Sequence, residues 1–128
     1  MSGRNFSLIQ KTKGKLSRLP FVDMKNAVLG ADYDLSLVFI GNAESKKLNM
    51  KHRGKDYVPN VLAFELGDNV GEIFINPLEA KKQASDFDRT PANMIAFLFI
   101  HALVHLKGME HGSTMERIEA GFRKRFKI

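Results

Sequence analysis

The sequence predicts an α+β domain in which a small mixed sheet of about four strands packs against helices. Segments with strand and helix patterns follow one another in the order β-α-β-α-β-β-α-α-α, which is typical of a mixed sheet with helices packed on it. Two neighbouring strand patterns are separated by a short turn and predict an antiparallel hairpin. Residues 91–107 predict a helix, and because it is apolar nearly all round from residue 94 to residue 106 it should be the buried central helix.

The N-terminal half contains two strand patterns and two helix patterns. Residues 5–10 alternate in polarity and predict a first strand, and residues 20–29 keep the apolar spacing of a helix. Residues 35–40 are β-branched or aromatic and apolar on both faces, so they predict a central strand. A short helix is expected over residues 42–50, followed by a basic loop over residues 51–57.

The C-terminal half contains the hairpin and three helices. Residues 61–66 and 72–75 are predicted to pair through a turn rich in glycine, aspartate and asparagine. Residues 77–87 predict a helix that has a proline at its first position. The central helix should begin behind Thr90, whose hydroxyl can cap it, and Ser113 is expected to cap the last helix.

Composition limits the class of protein. The 128 residues, 44% of them hydrophobic, predict one domain over residues 1–128. Cysteine is absent, which excludes disulfides and thiolate metal ligands. The first residues lack the apolar segment of a signal peptide and no apolar run is long enough to span a bilayer, so we expect a cytoplasmic protein with no membrane partner. The net charge of +6 favours an acidic partner such as nucleic acid.

Three of the four histidines lie within eleven residues, in the pattern H-x-x-x-H-x-x-G-x-x-H. His101 and His105 are four positions apart and therefore share one face of a helix. Gly108 can adopt a positive φ, end the helix and turn the chain so that His111 approaches the other two. Three protein ligands that leave a fourth position for water are the arrangement of a catalytic zinc site. We therefore expect these three histidines to bind one Zn²⁺ per chain.

The same histidine spacing occurs in zinc metalloproteases, but the general base of those enzymes is absent here. That base is a glutamate directly after the first histidine. Ala102 occupies this position, and a methyl group cannot accept a proton. The pattern therefore predicts a metal site without peptidase chemistry.

Residues 101–111 resemble the H-G-x-L-H-L-x-G-x-D-H signature of the YbeY family, bacterial single-strand-specific endoribonucleases of ribosomal RNA maturation. Residues 48–64 resemble that family's L-N-x-x-Y-R-x-K-D-x-x-[TD]-[ND]-V-L-S-F segment. Residues 71–75 are similar to its G-D-I-x-I strand. The three motifs occur in the family's order, which makes the resemblance more specific than the histidines alone.

The sequence departs from the family pattern at several positions within these motifs. Ala102 replaces the usual glycine, Glu110 the usual aspartate, and His52 the tyrosine before the arginine. Pro59 and Ala63 stand where threonine and serine are common. The changes at Pro59, Ala63 and Glu110 bear on the hydrogen bonding of the active site.

The resemblance implies a zinc ion, held by the three histidines, in a cleft lined by the arginine-bearing segment. In that setting Arg53 is the catalytic cation, because a guanidinium can bind two phosphate oxygens and stabilise charge in the transition state. Lys51 and Lys55 would contact the flanking phosphates. Glu110 adjoins His111, and its position is consistent with two roles: it orients that ligand or a water, or acts as the base, or else it forms a salt bridge at a helix end. The implied partners are single-stranded RNA, ribosomal RNA, and the ribosome or its proteins.

Two other functions are also consistent with the sequence. One is a metal-dependent hydrolase with a substrate other than RNA, and the other is a ribosome-associated factor whose metal is structural. No aromatic cluster suited to stacking bases is evident along the chain. We therefore expect the ribosome or a partner, rather than sequence reading, to select the cleavage site.

Overall fold

A computed structural model describes residues 2–3, 5–16, 18–108 and 112–128 of the chain. The strands are β1 (Ser2–Gly3), β2 (Phe6–Gln10), β3 (Asp34–Phe39), β4 (Val61–Gly67) and β5 (Val70–Ile75). The helices are α1 (Phe21–Leu29), α2 (Asn42–Arg53), α3 (Pro77–Ala84), α4 (Pro91–Leu106) and α5 (Ser113–Arg125), and a 3₁₀ turn (Ser85–Phe87) follows α3. The predicted α+β class is confirmed.

The strands form one mixed sheet in the order β1-β2-β3-β5-β4. Strand β3 is central and pairs in parallel with both β2 and β5. Strands β4 and β5 form the predicted antiparallel hairpin at one edge, and β1 pairs antiparallel with β2 at the other. The four predicted strands are all present. The two-residue β1 was not predicted, because so short a segment has no readable periodicity.

Both faces of β3 are buried, as its apolar sequence predicted. Leu35 and Leu37 face the main core, which is filled by α4 and completed by residues of α1, α3 and α5. Val38 points to the opposite face, where a smaller apolar cluster packs against Leu48 of α2. This alternation follows from the period of two in a strand. Helix α2 therefore lies on one side of the sheet, and α4 lies buried on the other.

The boundaries of α4 agree with the sequence. The Thr90 hydroxyl accepts a hydrogen bond from the backbone N–H of Asn93 at 3.1 Å. This bond satisfies one of the first-turn backbone N–H groups that have no acceptor within the helix. At the other end Gly108 has a φ of 96°, a conformation that favours glycine. Along the described parts of the chain, no helix has both the length and the apolar character needed to cross a membrane.

Several predicted boundaries differ from those of the structure. Residues 51–53 belong to α2 and not to a loop, because their basic side chains favour a helix C-terminus and Gly54 supplies the left-handed cap at φ 65°. Ser113 does not cap α5: it is the first helical residue behind Gly112, and no side-chain cap forms there. The helix predicted over residues 77–87 ends at Ala84 and continues as the 3₁₀ turn.

Replacing Gly71 in β5 with alanine is expected to destabilise the fold. A Cβ at this position would overlap the hydroxyl oxygen of Tyr33 and would lie 3.1 Å from a methyl carbon of Leu106. Tyr33 is buried, so its ring cannot simply swing into solvent. Overpacking of this kind costs about 1–3 kcal/mol, which urea denaturation can measure.

Gly67→Ala provides the control in the same hairpin, because nothing lies within 4 Å of a Cβ there. Adding Tyr33→Phe to Gly71→Ala should recover part of the stability, since the nearest contact is with the hydroxyl. Equal effects of Gly71→Ala and Gly67→Ala would show that close packing at Gly71 is not responsible.

Candidate active site

A cleft of about 850 Å³ lies between α4, α3 and the segment that runs from the end of α2 into β4. It brings together the histidines of α4 and the arginine at the end of α2, which are far apart in sequence. Its polar lining residues are Asn42, Arg53, Tyr57, Asn60, Glu79, Lys82, Gln83, His101 and His105. The cleft therefore combines cationic, imidazole, amide, phenol and carboxylate groups with several apolar side chains.

The two histidines occupy the one stripe of the second half of α4 that reaches solvent. Ala102, Leu103 and Val104 between them are buried, whereas the side chain of His101 is 31% exposed and His105 is exposed. The i, i+4 spacing places both imidazoles on the same face. The helix that fills the core thus also presents two potential metal ligands to the cleft.

A buried carboxylate contacts the first histidine. Oε1 of Glu119 on α5 lies 2.5 Å from Nδ1 of His101, and Glu119 is only 5% exposed. With an ionised carboxylate, which only accepts hydrogen bonds, a neutral imidazole donates from Nδ1 and keeps a lone pair on Nε2. Histidines that bind metals usually donate their other ring N–H to such a group. This contact is the structural feature that best fits a metal ligand at His101.

Sequence reasoning missed Glu119, although a signal was present. The inner face of α5 carries Met115, Ile118 and Phe122 at helical spacing, and position 119 lies within that stripe. A carboxylate on an otherwise apolar face is costly to bury without a partner. The partner could not be identified from the sequence because it lies on a different helix.

Arg53 is held in place by two hydrogen bonds at the end of α2. Its Nη1 donates to Oδ1 of Asn49 at 3.2 Å and to the hydroxyl of Tyr57 at 3.2 Å. Asn49 is fully buried and donates to the backbone carbonyl of Tyr57 at 3.1 Å. Asp56 pairs instead with Lys46 at 3.4 Å. Among the described residues no carboxylate forms an ion pair with Arg53, which lines the cleft.

A chain of amide contacts, also missed by sequence reasoning, joins the start of β4 to α3. Asn60 donates to Oε1 of Gln83 at 2.7 Å, and Gln83 donates to Oε1 of Glu79 at 2.9 Å. Glu79 is the carboxylate that lines this cleft among the described residues. It joins Glu110 as a candidate proton acceptor.

Of the remaining predicted site residues, the two that the structure describes are not brought into the cleft. Lys51 and Lys55 are exposed near the end of α2 and do not line it, so their phosphate contacts stay predictions. Glu110 and His111 lie outside the described residues. Within the described ranges no group of three His, Cys, Asp or Glu side chains is positioned to hold a metal. The three-histidine site therefore also stays a prediction, with two of its members in one cleft.

The fold and the cleft define an α+β protein with two histidines and an arginine converging on one concave site. The family described as Endoribonuclease YbeY matches residues 10–125, and the chain belongs to this family. The predicted resemblance is thus confirmed.

Curated relatives named Endoribonuclease YbeY support this membership. That of Alkaliphilus metalliredigens is 35% identical over 108 residues, which cover 76% of this chain and 68% of the relative. That of Phytoplasma mali is 38% identical over 86 residues, covering 65% and 58%. That of Thermodesulfovibrio yellowstonii is 32% identical over 112 residues, covering 82% and 67%. The matched segment therefore spans roughly three-fifths to two-thirds of these relatives.

A solved structure has the same fold. The solution structure of a protein from Thermotoga maritima superposes with a TM-score of 0.64 and 23% identity, and the match covers 91% of this chain and 85% of that one. This likeness concerns the arrangement of strands and helices alone.

Proposed function

We propose that this chain is a zinc-dependent endoribonuclease that cleaves single-stranded RNA and acts in ribosomal RNA processing and ribosome quality control in the cytoplasm. The observation that carries the proposal is the convergence of Arg53 with His101 and His105 on one cleft. Membership of a family described as endoribonucleases supports RNA as the substrate. The net charge of +6 is suited to a polyanionic partner, including the ribosome.

His101, His105 and His111 are proposed to hold the zinc ion. Imidazole is a preferred zinc ligand, and the chain has no cysteine that could compete for this role. The bond from His101 to Glu119 holds the ring in the orientation and tautomer that a ligand needs. When bound, the metal supplies Lewis-acid chemistry, which activates water and offsets negative charge on phosphate.

Arg53 is proposed to bind the scissile phosphate. A guanidinium can donate two parallel hydrogen bonds to phosphate oxygens. Its position is fixed in advance by Asn49 and Tyr57, so little reorganisation is needed as charge develops. Lys51 and Lys55 at the exposed end of α2 are proposed to attract the flanking strand. The proton acceptor is proposed to be Glu110 or Glu79.

The test uses single-stranded RNA, the same sequence as a duplex, and single-stranded DNA, each with and without a zinc chelator. We expect endonucleolytic products from single-stranded RNA only, abolished by chelator and restored by added zinc. Stoichiometric zinc without chelator-sensitive cleavage would favour an RNA-binding factor with a structural metal. Inactivity on RNA with chelator-sensitive hydrolysis of another phosphoester would favour a different substrate.

Replacing Glu119 with alanine is expected to weaken zinc binding about 10–100-fold, the usual effect of removing a carboxylate that orients a metal-binding histidine. The dissociation constant can be measured by competition with a chromogenic chelator, independently of RNA cleavage. Glu119→Gln should have a smaller effect, because the amide oxygen can still accept from Nδ1 of His101.

Glu116→Gln is the matched control, since Glu116 lies on the same helix but is exposed. The melting temperature of each apoprotein shows whether the fold is intact. Unchanged zinc affinity in a folded Glu119→Ala protein would mean that the carboxylate does not orient a metal ligand.

A further inference from the structure

A second, smaller cavity of about 390 Å³ lies beside the cleft. Asn60, Val61 and His101 line both cavities, so the two are continuous along the protein surface. Phe97 of α4 and Arg123 of α5 also line the smaller cavity. None of the functions discussed above uses these two residues.

Two arginines lie against the same aromatic ring at this position. The guanidinium carbon of Arg89 is 4.4 Å from the ring centroid of Phe97, and that of Arg123 is 5.1 Å from it. Nη1 of Arg89 also donates to Oδ1 of Asn93. These contacts restrain two planar cations, each partly buried, on a rigid support.

Neither arginine of this pair forms an ion pair with a carboxylate among the described residues. Two carboxylates border the same cavity: Glu119 is bonded to His101, and Glu116 is exposed to solvent. Burial lowers the pKa of Arg89, and the neighbouring charge of Arg123 lowers it further. Arginine nevertheless remains charged in proteins. An anion between the two guanidiniums would remove this repulsion and accept their hydrogen bonds.

An aromatic face is exposed next to the pair. The rings of Phe87 and Phe97 have centroids 6.2 Å apart, and Phe87 is 54% exposed. A nucleotide matches this arrangement better than a free phosphate does, because its phosphate suits the arginines and its base can stack on an aromatic face. The aromatic cluster that the sequence did not reveal is thus assembled by the fold.

We propose that Arg89 and Arg123, supported by Phe97, bind a phosphate of the RNA strand that flanks the nucleotide in the histidine cleft, and that Phe87 stacks a base of that flanking segment. This subsite rests on the proposed function. It gives the enzyme an RNA contact on the α5 side of the histidines, whereas Arg53 binds the scissile phosphate on the α2 side. The two sets of contacts together define the path of a single strand across α4.

The test measures binding of the zinc-loaded protein to a single-stranded 2′-O-methyl RNA of about ten nucleotides, a length typical of such sites. The double variant Arg89→Gln/Arg123→Gln should bind about tenfold or more weakly. Its plot of log affinity against log salt should be shallower by about 0.7 for each phosphate that the variant no longer neutralises. The control Arg117→Gln/Lys124→Gln removes the same charge from exposed positions of α5 and should change affinity less than about threefold.

Two further measurements separate the parts of the subsite. Cleavage of unmodified RNA by the double variant should show a raised KM with kcat largely kept, and a dinucleotide too short to reach the subsite should be unaffected. Phe87→Leu should weaken binding at least about fivefold without changing the salt dependence, because stacking releases no counterions.

The outcomes distinguish a failure of the subsite proposal from a failure of the proposed function. If the wild-type chain cleaves RNA but the double variant behaves like its control, the subsite is wrong and the proposed function stands. If the wild-type chain neither binds nor cleaves RNA, both are overturned.

Discussion

Replacing Arg53 with alanine is expected to lower kcat for RNA cleavage at least about 10²–10³-fold, the usual effect of removing one preorganised donor to a transition-state anion. Zinc content should remain at one ion per chain, because a guanidinium is not a zinc ligand and Arg53 is held by Asn49 and Tyr57, neither of which is a proposed ligand. Steady-state kinetics on a single-stranded RNA and metal analysis of the same sample measure both quantities.

Two matched variants sharpen this prediction. Arg53→Lys keeps the charge but not the planar guanidinium that binds two oxygens, so it should retain only part of the activity. Lys46→Ala removes an exposed cation from the same helix, where it pairs with Asp56, and should leave kcat within about twofold. If Arg53→Ala loses its zinc, or is destabilised by more than about 1 kcal/mol in denaturant unfolding, Arg53 is a structural residue.

Replacing His105 with alanine is expected to reduce zinc affinity at least about 10²–10³-fold, because it removes one of the three proposed ligands. Cleavage should fall to background at any zinc concentration that does not precipitate the protein. The fold should persist, since His105 is exposed on α4 and contributes little to the core. Metal competition and the melting temperature of the apoprotein measure these effects.

His52→Ala is the control for this experiment. His52 is also exposed, packs on Phe64 with ring centroids 4.9 Å apart, and does not line the cleft. It should keep full zinc affinity. Loss of zinc from both variants would indicate a general loss of structure, and retention of zinc by His105→Ala would remove this histidine from the ligand set.

The layout of the fold was predictable where the pattern is local or strongly periodic. The run over residues 35–40 predicted a strand buried on both faces, and β3 is that strand. Thr90 predicted the start of α4, and the apolar character of the helix predicted its burial. These signals depend on neighbouring residues or on a whole face of an element, so they can be read without knowledge of the tertiary structure.

Boundaries were less predictable when two local signals competed. The basic residues 51–53 looked like a loop, but they suit the last turn of α2 because positive charge is stabilising at a helix C-terminus. Ser113 is a good capping residue by type, yet Gly112 occupies the capping position of α5. Such shifts of one to three residues are decided by packing and by chain geometry at the turn.

The candidate site was predictable in part. Helical spacing alone paired His101 with His105, and both line the cleft. The place of Arg53 beside them came from resemblance to a family, because no spacing connects α2 to α4. Glu119 and the arginine pair on Phe97 were missed because each contact joins residues of different elements. Contacts of this kind require the folded arrangement to be known.

The central claim is that this chain uses zinc held by its histidines to cleave RNA, and zinc titration of one preparation tests it most directly. The protein is freed of metal with chelator, and zinc is then added in steps while bound zinc and RNA cleavage are both measured. His105→Ala, purified in parallel, reports cleavage by any contaminating RNase. We predict that cleavage rises in proportion to bound zinc and saturates at one ion per chain, and that His105→Ala stays inactive. Cleavage that is independent of zinc, or a wild-type chain that binds none, would contradict the claim.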